Sequence, residues 1–93
     1  MQQPRPLPPP ETLEPQLVTL ISERLLETGP GFNAETDLYS VGLDSMAIMQ
    51  LLILVEEEYG VALPECALTR QNFTTVRNLA DLIRKQAAGI AII

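Results

Sequence analysis

The sequence predicts an all-α fold: a small bundle of three main helices plus a short extra helix, with a long ordered loop between helices 1 and 2. Three observations carry this prediction. Apolar residues recur at three- and four-residue spacing in three separate stretches. No stretch alternates apolar and polar residues as a half-buried strand does. Glycine or proline punctuates the end of each periodic stretch. At 93 residues and 46% hydrophobic, the chain can build one modest core and has no room for a second domain.

Prolines set the first boundary. Six of the eight lie before Gln16, so residues 2–10 read as an extended polyproline-type tail. Within it Pro6-Leu7-Pro8-Pro9 fits the PxxP pattern of proline-binding-domain ligands, although such patterns arise easily in proline-rich leaders. The expected organisation is a flexible proline-rich tail over 1–10, a folded domain over 11–88 and a C-terminal tail over 89–93.

The elements follow in order. Helix 1 starts after Glu11, with Thr12 as its N-cap and Glu14 and Pro15 in the first turn. Leu13, Leu17, Leu20, Ile21 and Leu25 form its apolar stripe, and Gly29-Pro30-Gly31 stops it. Residues 32–43 hold no sustained period, yet Leu38, Val41 and Leu43 predict a loop laid onto the core, with a short turn starting at Glu35-Thr36-Asp37. Helix 2 runs from Ser45 to about Tyr59 and ends at Gly60. Leu38, Leu43, Met49, Leu52 and Val55 are expected to bind the loop and this helix into the core. Val61-Ala62-Leu63-Pro64 is an extended connector, and residues 68–73 hold a single helical turn. Thr74 or Thr75 caps helix 3, which buries Val76, Leu79, Ala80 and Ile83. Arg84 and Lys85 complement the dipole in its last turn, and Gly89 closes it.

Charge and composition exclude several functions. Twelve Asp and Glu against six Lys and Arg give a formal net charge of −6, which would repel nucleic-acid phosphates. No apolar run approaches the roughly 20 residues needed to span a bilayer, and the opening Met-Gln-Gln-Pro-Arg-Pro lacks the apolar stretch of a signal peptide. A cytoplasmic monomer is expected. One cysteine allows no internal disulfide, which suits a reducing compartment. Cys66 has acid beside it and no basic neighbour before Arg70, so it reads as a partly packed, inert thiol. With no histidine, the usual general base and the commonest metal ligand are missing. No catalytic residue and no metal site is assigned, and the chain does not read as an enzyme. Between Arg24 and Arg70 there is no basic residue, while Glu56, Glu57, Glu58 and five other acids fall inside. That run is either a solvated face or a docking surface for a basic partner.

The junction Val41-Gly42-Leu43-Asp44-Ser45-Met46 is where chemistry concentrates. The residues admit two readings. Asp44 and Ser45 are both good N-cap types, so the pair can be there only to start a helix. Alternatively, the Ser45 hydroxyl is a modification site, since the positive end of a helix favours a phosphate ester. Ala47 stands where a nucleophile elbow needs glycine, and neither a Walker loop nor EF-hand ligand spacing is present.

The stretch Asp37-Leu38-Tyr39-Ser40-Val41-Gly42-Leu43-Asp44-Ser45-Met46 resembles the attachment segment of acyl carrier proteins. The likeness continues through Glu56-Glu57-Glu58-Tyr59-Gly60-Val61 and Asn72-Phe73-Thr74-Thr75-Val76-Arg77-Asn78-Leu79-Ala80, and covers roughly residues 13–83. It implies that 4′-phosphopantetheine from coenzyme A is attached to Ser45, with Asp44 as part of the attachment motif. Capping and modification then coexist. It also implies a carrier of acyl or aminoacyl groups as thioesters, served by a phosphopantetheinyl transferase that brings its own Mg²⁺. An acyl-loading ligase or acyltransferase and downstream biosynthetic enzymes complete the expected partners. The alternative is a carrier-like interaction or regulatory module that is never modified, against which the intact Asp44-Ser45 counts.

One departure bears on the pathway. In fatty-acid-synthesis carriers the first half of helix 2 is usually acidic, whereas Ala47 and Gln50 stand here and charge is delayed to Glu56. A specialised polyketide, nonribosomal peptide or modified-lipid pathway is therefore expected over fatty-acid synthesis. Met46, Gln50, Ile53 and Glu57 share one helical face and, with Glu56, form the expected docking surface. For Met46 and Ile53, core packing is the competing expectation.

Overall fold

A computed structural model of the chain describes residues 8–89. Most of the expected proline-rich tail, including the first half of the PxxP pattern, and residues 90–93 lie outside the described residues. Three α-helices make the bundle: α1 (Pro10–Arg24), α2 (Ser45–Tyr59) and α3 (Val76–Ala87). Among the described residues there is no strand.

The first helix starts two residues before the expected cap. Pro9 is the N-cap residue, and its carbonyl accepts the amides of Thr12 and Leu13 at 2.9 and 2.8 Å. Thr12 is thus inside the helix rather than capping it. Proline at the first helical position has no N–H to satisfy and a φ already suited to the helix, which is why Pro10 can begin it. Pro15 sits inside α1 on the exposed side, one turn later than the position where proline costs least. The end also differs. α1 stops at Arg24, not at Gly29, because the amides of Leu25 and Leu26 both turn to the Ile21 carbonyl. The turn lays these two leucines against the core.

Residues 32–43 pack as expected. Leu38 is fully buried and Leu43 nearly so, with Phe32, Ala34, Tyr39 and Val41 partly buried against the same cluster. Backbone bonds stitch the loop to the start of α3: the Leu38 amide donates to the Thr74 carbonyl at 2.7 Å, and the Arg77 amide to the Ala34 carbonyl at 3.0 Å. Arg77 adds ion pairs to Glu35 and, at 3.9 Å, to Glu14 of α1.

The core gathers Leu13, Leu17 and Ile21 of α1 with Leu51 and Val55 of α2 and Leu79 and Ile83 of α3, closed by Phe73. Tyr59 fills the far end of α2, where burial, and secondarily the Glu58 charge, raises its phenol above the usual value. Its hydroxyl donates to Gln16 of α1 at 3.4 Å. Thr75, the second of the two expected caps, accepts from the Asn78 amide at 3.1 Å.

Residues 68–73 hold the expected single turn, the 3₁₀ turn Gln71–Phe73, and a further 3₁₀ turn, Glu65–Ala67, precedes it. The Asn72 side chain donates to the Ala67 carbonyl at 2.9 Å, holding the pair together around an exposed Leu68. Each turn presents one side chain inward, Ala67 and Phe73. That geometry leaves Cys66 exposed rather than partly packed.

Candidate functional site

The site is built from the loop upward. Asp37 accepts the Tyr39 amide on its side chain at 2.9 Å and starts the 3₁₀ turn Leu38–Val41. Gly42 ends that turn with φ of 113°, a conformation in which side chains are strained. Space is not the constraint there, since a Cβ would meet only Leu26 at an ordinary 3.7 Å. The Leu43 amide then returns to the Leu38 carbonyl at 3.0 Å, and its side chain plugs into the core. This closes residues 37–43 into one unit that delivers the chain to α2.

At the junction, capping and exposure are divided between two residues. Asp44 is extended, with φ of −131° and ψ of −174°, and its carboxylate accepts the Ala47 amide at 2.9 Å. Its carbonyl accepts the Ile48 amide at 2.8 Å. Asp44 alone is the cap. Ser45 is the first residue of α2 and exposed, so its hydroxyl stands at the positive end of the helix without a capping duty. The first amides of α2 have no intrahelical acceptor by geometry. An anionic ester on Ser45 would meet those amides and the helix dipole together.

The outer face of α2 continues from the junction. Met46 is 72% exposed and Ile53 57%, so neither belongs to the core. Gln50, Glu56 and Glu57 are exposed on the same face, while Glu58 turns toward Arg24 of α1 at 3.3 Å. Met49, expected in the core, is instead 57% exposed and stands between Met46 and Ile53. At about 100° per residue it lies roughly 60° from Met46 and 40° from Ile53, on the side away from buried Leu51 and Val55. Leu52, expected to bind the helix inward, is partly buried against the core. The resulting strip is apolar beside Ser45 and acidic at its distal end.

Two surface grooves of about 610 Å³ each flank α1, one reaching Glu58 and Tyr59 and the other Phe32 and Ala34. Ser45 lines neither. Among the described residues no cluster of His, Cys, Asp and Glu could hold a metal ion, and no helix is long and apolar enough to cross a membrane.

Comparison with known proteins points to the same junction. The family described as the phosphopantetheine attachment site matches residues 15–83. An aminoacyl carrier protein of Agrobacterium fabrum is 34% identical over 50 residues, which are 54% of this chain and 60% of that protein. The chain thus spans about three fifths of the length of the aminoacyl carrier proteins it matches. A D-alanyl carrier protein of Lactobacillus delbrueckii subsp. bulgaricus is 28% identical over 76 residues, covering 78% of this chain and 91% of its own. In three dimensions the fold is similar, with a TM-score of 0.66 and 26% identity, to a chain in a solved complex. That complex is engineered Bradyrhizobium japonicum glycine:[carrier protein] ligase with carrier protein from Agrobacterium tumefaciens and ATP, and the match covers 77% of this chain and 96% of that one.

Proposed function

The chain belongs to the phosphopantetheine attachment family, and on that premise we propose that it is a carrier protein holding acyl or aminoacyl groups as thioesters on 4′-phosphopantetheine attached to Ser45. The observation that carries this reading is the division of labour at the junction. Asp44 caps α2 through its carboxylate, which leaves the exposed Ser45 hydroxyl available for esterification. The residues fit the group: a primary hydroxyl on the surface, at a helix end that favours a phosphodiester's negative charge.

The chain's own part in the chemistry is small. Ser45 Oγ would give its proton to a base of the phosphopantetheinyl transferase and take the phosphopantetheine phosphorus of coenzyme A, with the adenosine bisphosphate half leaving as the pyrophosphate bond breaks. The transferase brings that base and its Mg²⁺. When bound, the arm supplies a terminal thiol for thioester linkage and a flexible reach that raises cargo concentration at a docked active site. The bundle keeps the attachment point rigid and outward. No catalysis is assigned to the chain itself, and its proposed setting is the cytoplasm.

We assign the carrier domain to residues 11–88 as expected, extended by Pro10 because α1 begins there, with the short N- and C-terminal segments outside it. The names of the relatives, aminoacyl and D-alanyl carrier proteins, support a specialised pathway over fatty-acid synthesis. So does the absence of acid in the first half of α2. The partners proposed are the transferase, a loading ligase or acyltransferase, and downstream biosynthetic enzymes. Met46, Met49 and Ile53 offer them an apolar contact beside the arm, flanked by the polar Gln50, with Glu56 and Glu57 setting orientation.

Incubation with coenzyme A, Mg²⁺ and a broad-specificity transferase tests the reading by mass spectrometry. The wild-type chain gains one arm, and Ser45→Ala gains none while retaining its helicity through the Asp44 cap. A wild-type chain left unmodified by several active transferases would instead favour the unmodified interaction module.

A further inference from the structure

The segment 70–74 grips the turn that delivers Ser45, and it does so at two adjacent residues. The Leu38 amide donates to the Thr74 carbonyl at 2.7 Å. One residue later, the Arg70 guanidinium lies 4.2 Å from the centroid of the Tyr39 ring. Arg70 is the first basic residue after Arg24, and it stacks on the loop rather than pairing with any of the intervening acids. Its backbone is held as well: the Arg70 carbonyl accepts the Phe73 amide at 3.2 Å and the Thr74 hydroxyl at 2.7 Å. Phe73 in turn is buried in the core. The cation is therefore presented from a fixed base.

What it holds leads directly to the site. Tyr39 belongs to the closed unit 37–43: its amide goes to Asp37 and its carbonyl takes the Gly42 amide at 3.4 Å. Leu43, bonded back to Leu38, precedes Asp44. The Gly42 amide is shared between the Tyr39 and Leu38 carbonyls, so Tyr39 is one of two residues that set the turn by which the chain enters α2. Leu38 and Leu43 keep the turn on the core through apolar burial, which has no preferred direction. The stacked cation adds a directional contact on the turn's partly buried ring.

We propose that Arg70 and Tyr39 are positioning residues for the Ser45 junction, a cation–π clamp that keeps the attachment hydroxyl in the arrangement a transferase recognises. The inference rests on the Ser45 reading above. If the enzyme binds only the ordered junction, loosening the clamp lowers the fraction of competent chain, which raises apparent KM and leaves kcat unchanged. An exposed cation–π contact corresponds to a change of about two- to fivefold in the order–disorder equilibrium of the junction; amide exchange reads that factor in full, and KM rises by no more than it.

The test compares Tyr39→Phe, Tyr39→Leu, Arg70→Gln and the Arg70→Gln/Tyr39→Leu pair as unmodified proteins. Transferase kinetics and amide exchange at Leu38 and Leu43 are measured, with helicity and melting followed alongside. Tyr39→Phe keeps the ring face and should match wild type. Tyr39→Leu keeps apolar bulk without the ring and should speed Leu43 exchange about two- to fivefold, with KM raised by at most that factor and kcat unchanged. Arg70→Gln should do the same, and the double variant should be no worse than either single one. Equal behaviour of the Phe and Leu variants, additive losses in the double variant, or unchanged KM and exchange throughout would overturn the clamp. Failure of the carrier reading looks different, because the wild type would then take no arm while the exchange comparison still reports on the clamp.

Discussion

Helices α2 and α3 are built from the same kind of core contact and end with opposite surfaces. α3 buries Val76, Leu79, Ala80, Leu82 and Ile83, and turns Arg77, Asp81, Arg84 and Lys85 to water. Its Asp81 and Lys85 even pair with each other at 3.0 Å, one turn apart. α2 buries Ala47, Leu51, Leu54, Val55 and Tyr59, yet its other side still shows Met46, Met49 and Ile53. Apolar residues singly exposed need no explanation, but three on one helical face beside an exposed serine form a patch. α3 is a structural helix whose polar face needs nothing further. α2 serves the core and a second surface at once.

The largest expected difference between the two is in stability. Leu79→Ala on α3 removes a fully buried side chain and should cost about 2–5 kcal/mol in urea unfolding. Met49→Ala on α2 should stay within about 0.5 kcal/mol, as substitutions at exposed positions do. Comparable losses in the two would mean that Met49 belongs to the core after all, and the contrast between the helices would break.

The second expectation concerns binding rather than folding. Met46→Ala or Ile53→Ala should weaken association with the proposed loading enzyme by about 2 kcal/mol, the scale of a desolvated anchor. The loss should persist at high salt, because apolar contacts are not screened, and helicity and melting should stay at wild-type values. Calorimetry across a salt series decides it. Unchanged affinity in both variants would remove the docking role from this face.

The smallest expected effect sharpens the division within α2. Glu57→Gln should change binding by roughly 0.2–1 kcal/mol at low salt and by less as ionic strength rises. Stopped-flow measurement should find the change mainly in the association rate, as expected for a charge that steers encounter. A salt-independent loss in dissociation rate would place Glu57 inside the contact instead.

The contrast between α2 and α3 was only half visible in the sequence. In α3 the apolar residues Val76, Leu79, Ala80 and Ile83 share one side and the rest is mostly polar, so the buried face was evident, with Leu82 added at its edge by the structure. α2 is apolar nearly all round, so its sequence alone lets Met49 face either the core or solvent. Hydrophobicity states that a side chain can be buried; which of several is buried depends on where the neighbouring helices lie. Leu51 and Val55 reach the cluster of α1 and α3, and Met49, on the opposite side, has nothing above it.

By itself the sequence determined the local choices. Spacing specified three helices, Asp44 and Thr75 supplied side-chain acceptors for their first turns, and Gly60 offered the left-handed residue that ends α2. These are interactions within a few residues that residue type favours, although Thr12, an equally good cap by type, lies inside α1 behind Pro9. Tertiary structure decided what depends on distant partners. α1 stops at Arg24 because Leu25 and Leu26 are drawn onto the core, not because a glycine stands there. The loop takes one path because Leu38 and Ala34 find acceptor and donor at the start of α3, some 40 residues away in the chain. Arg70 meets Tyr39 for the same reason. Such contacts form only when burial of the shared core has already brought the segments together, so spacing along the chain carries no record of them.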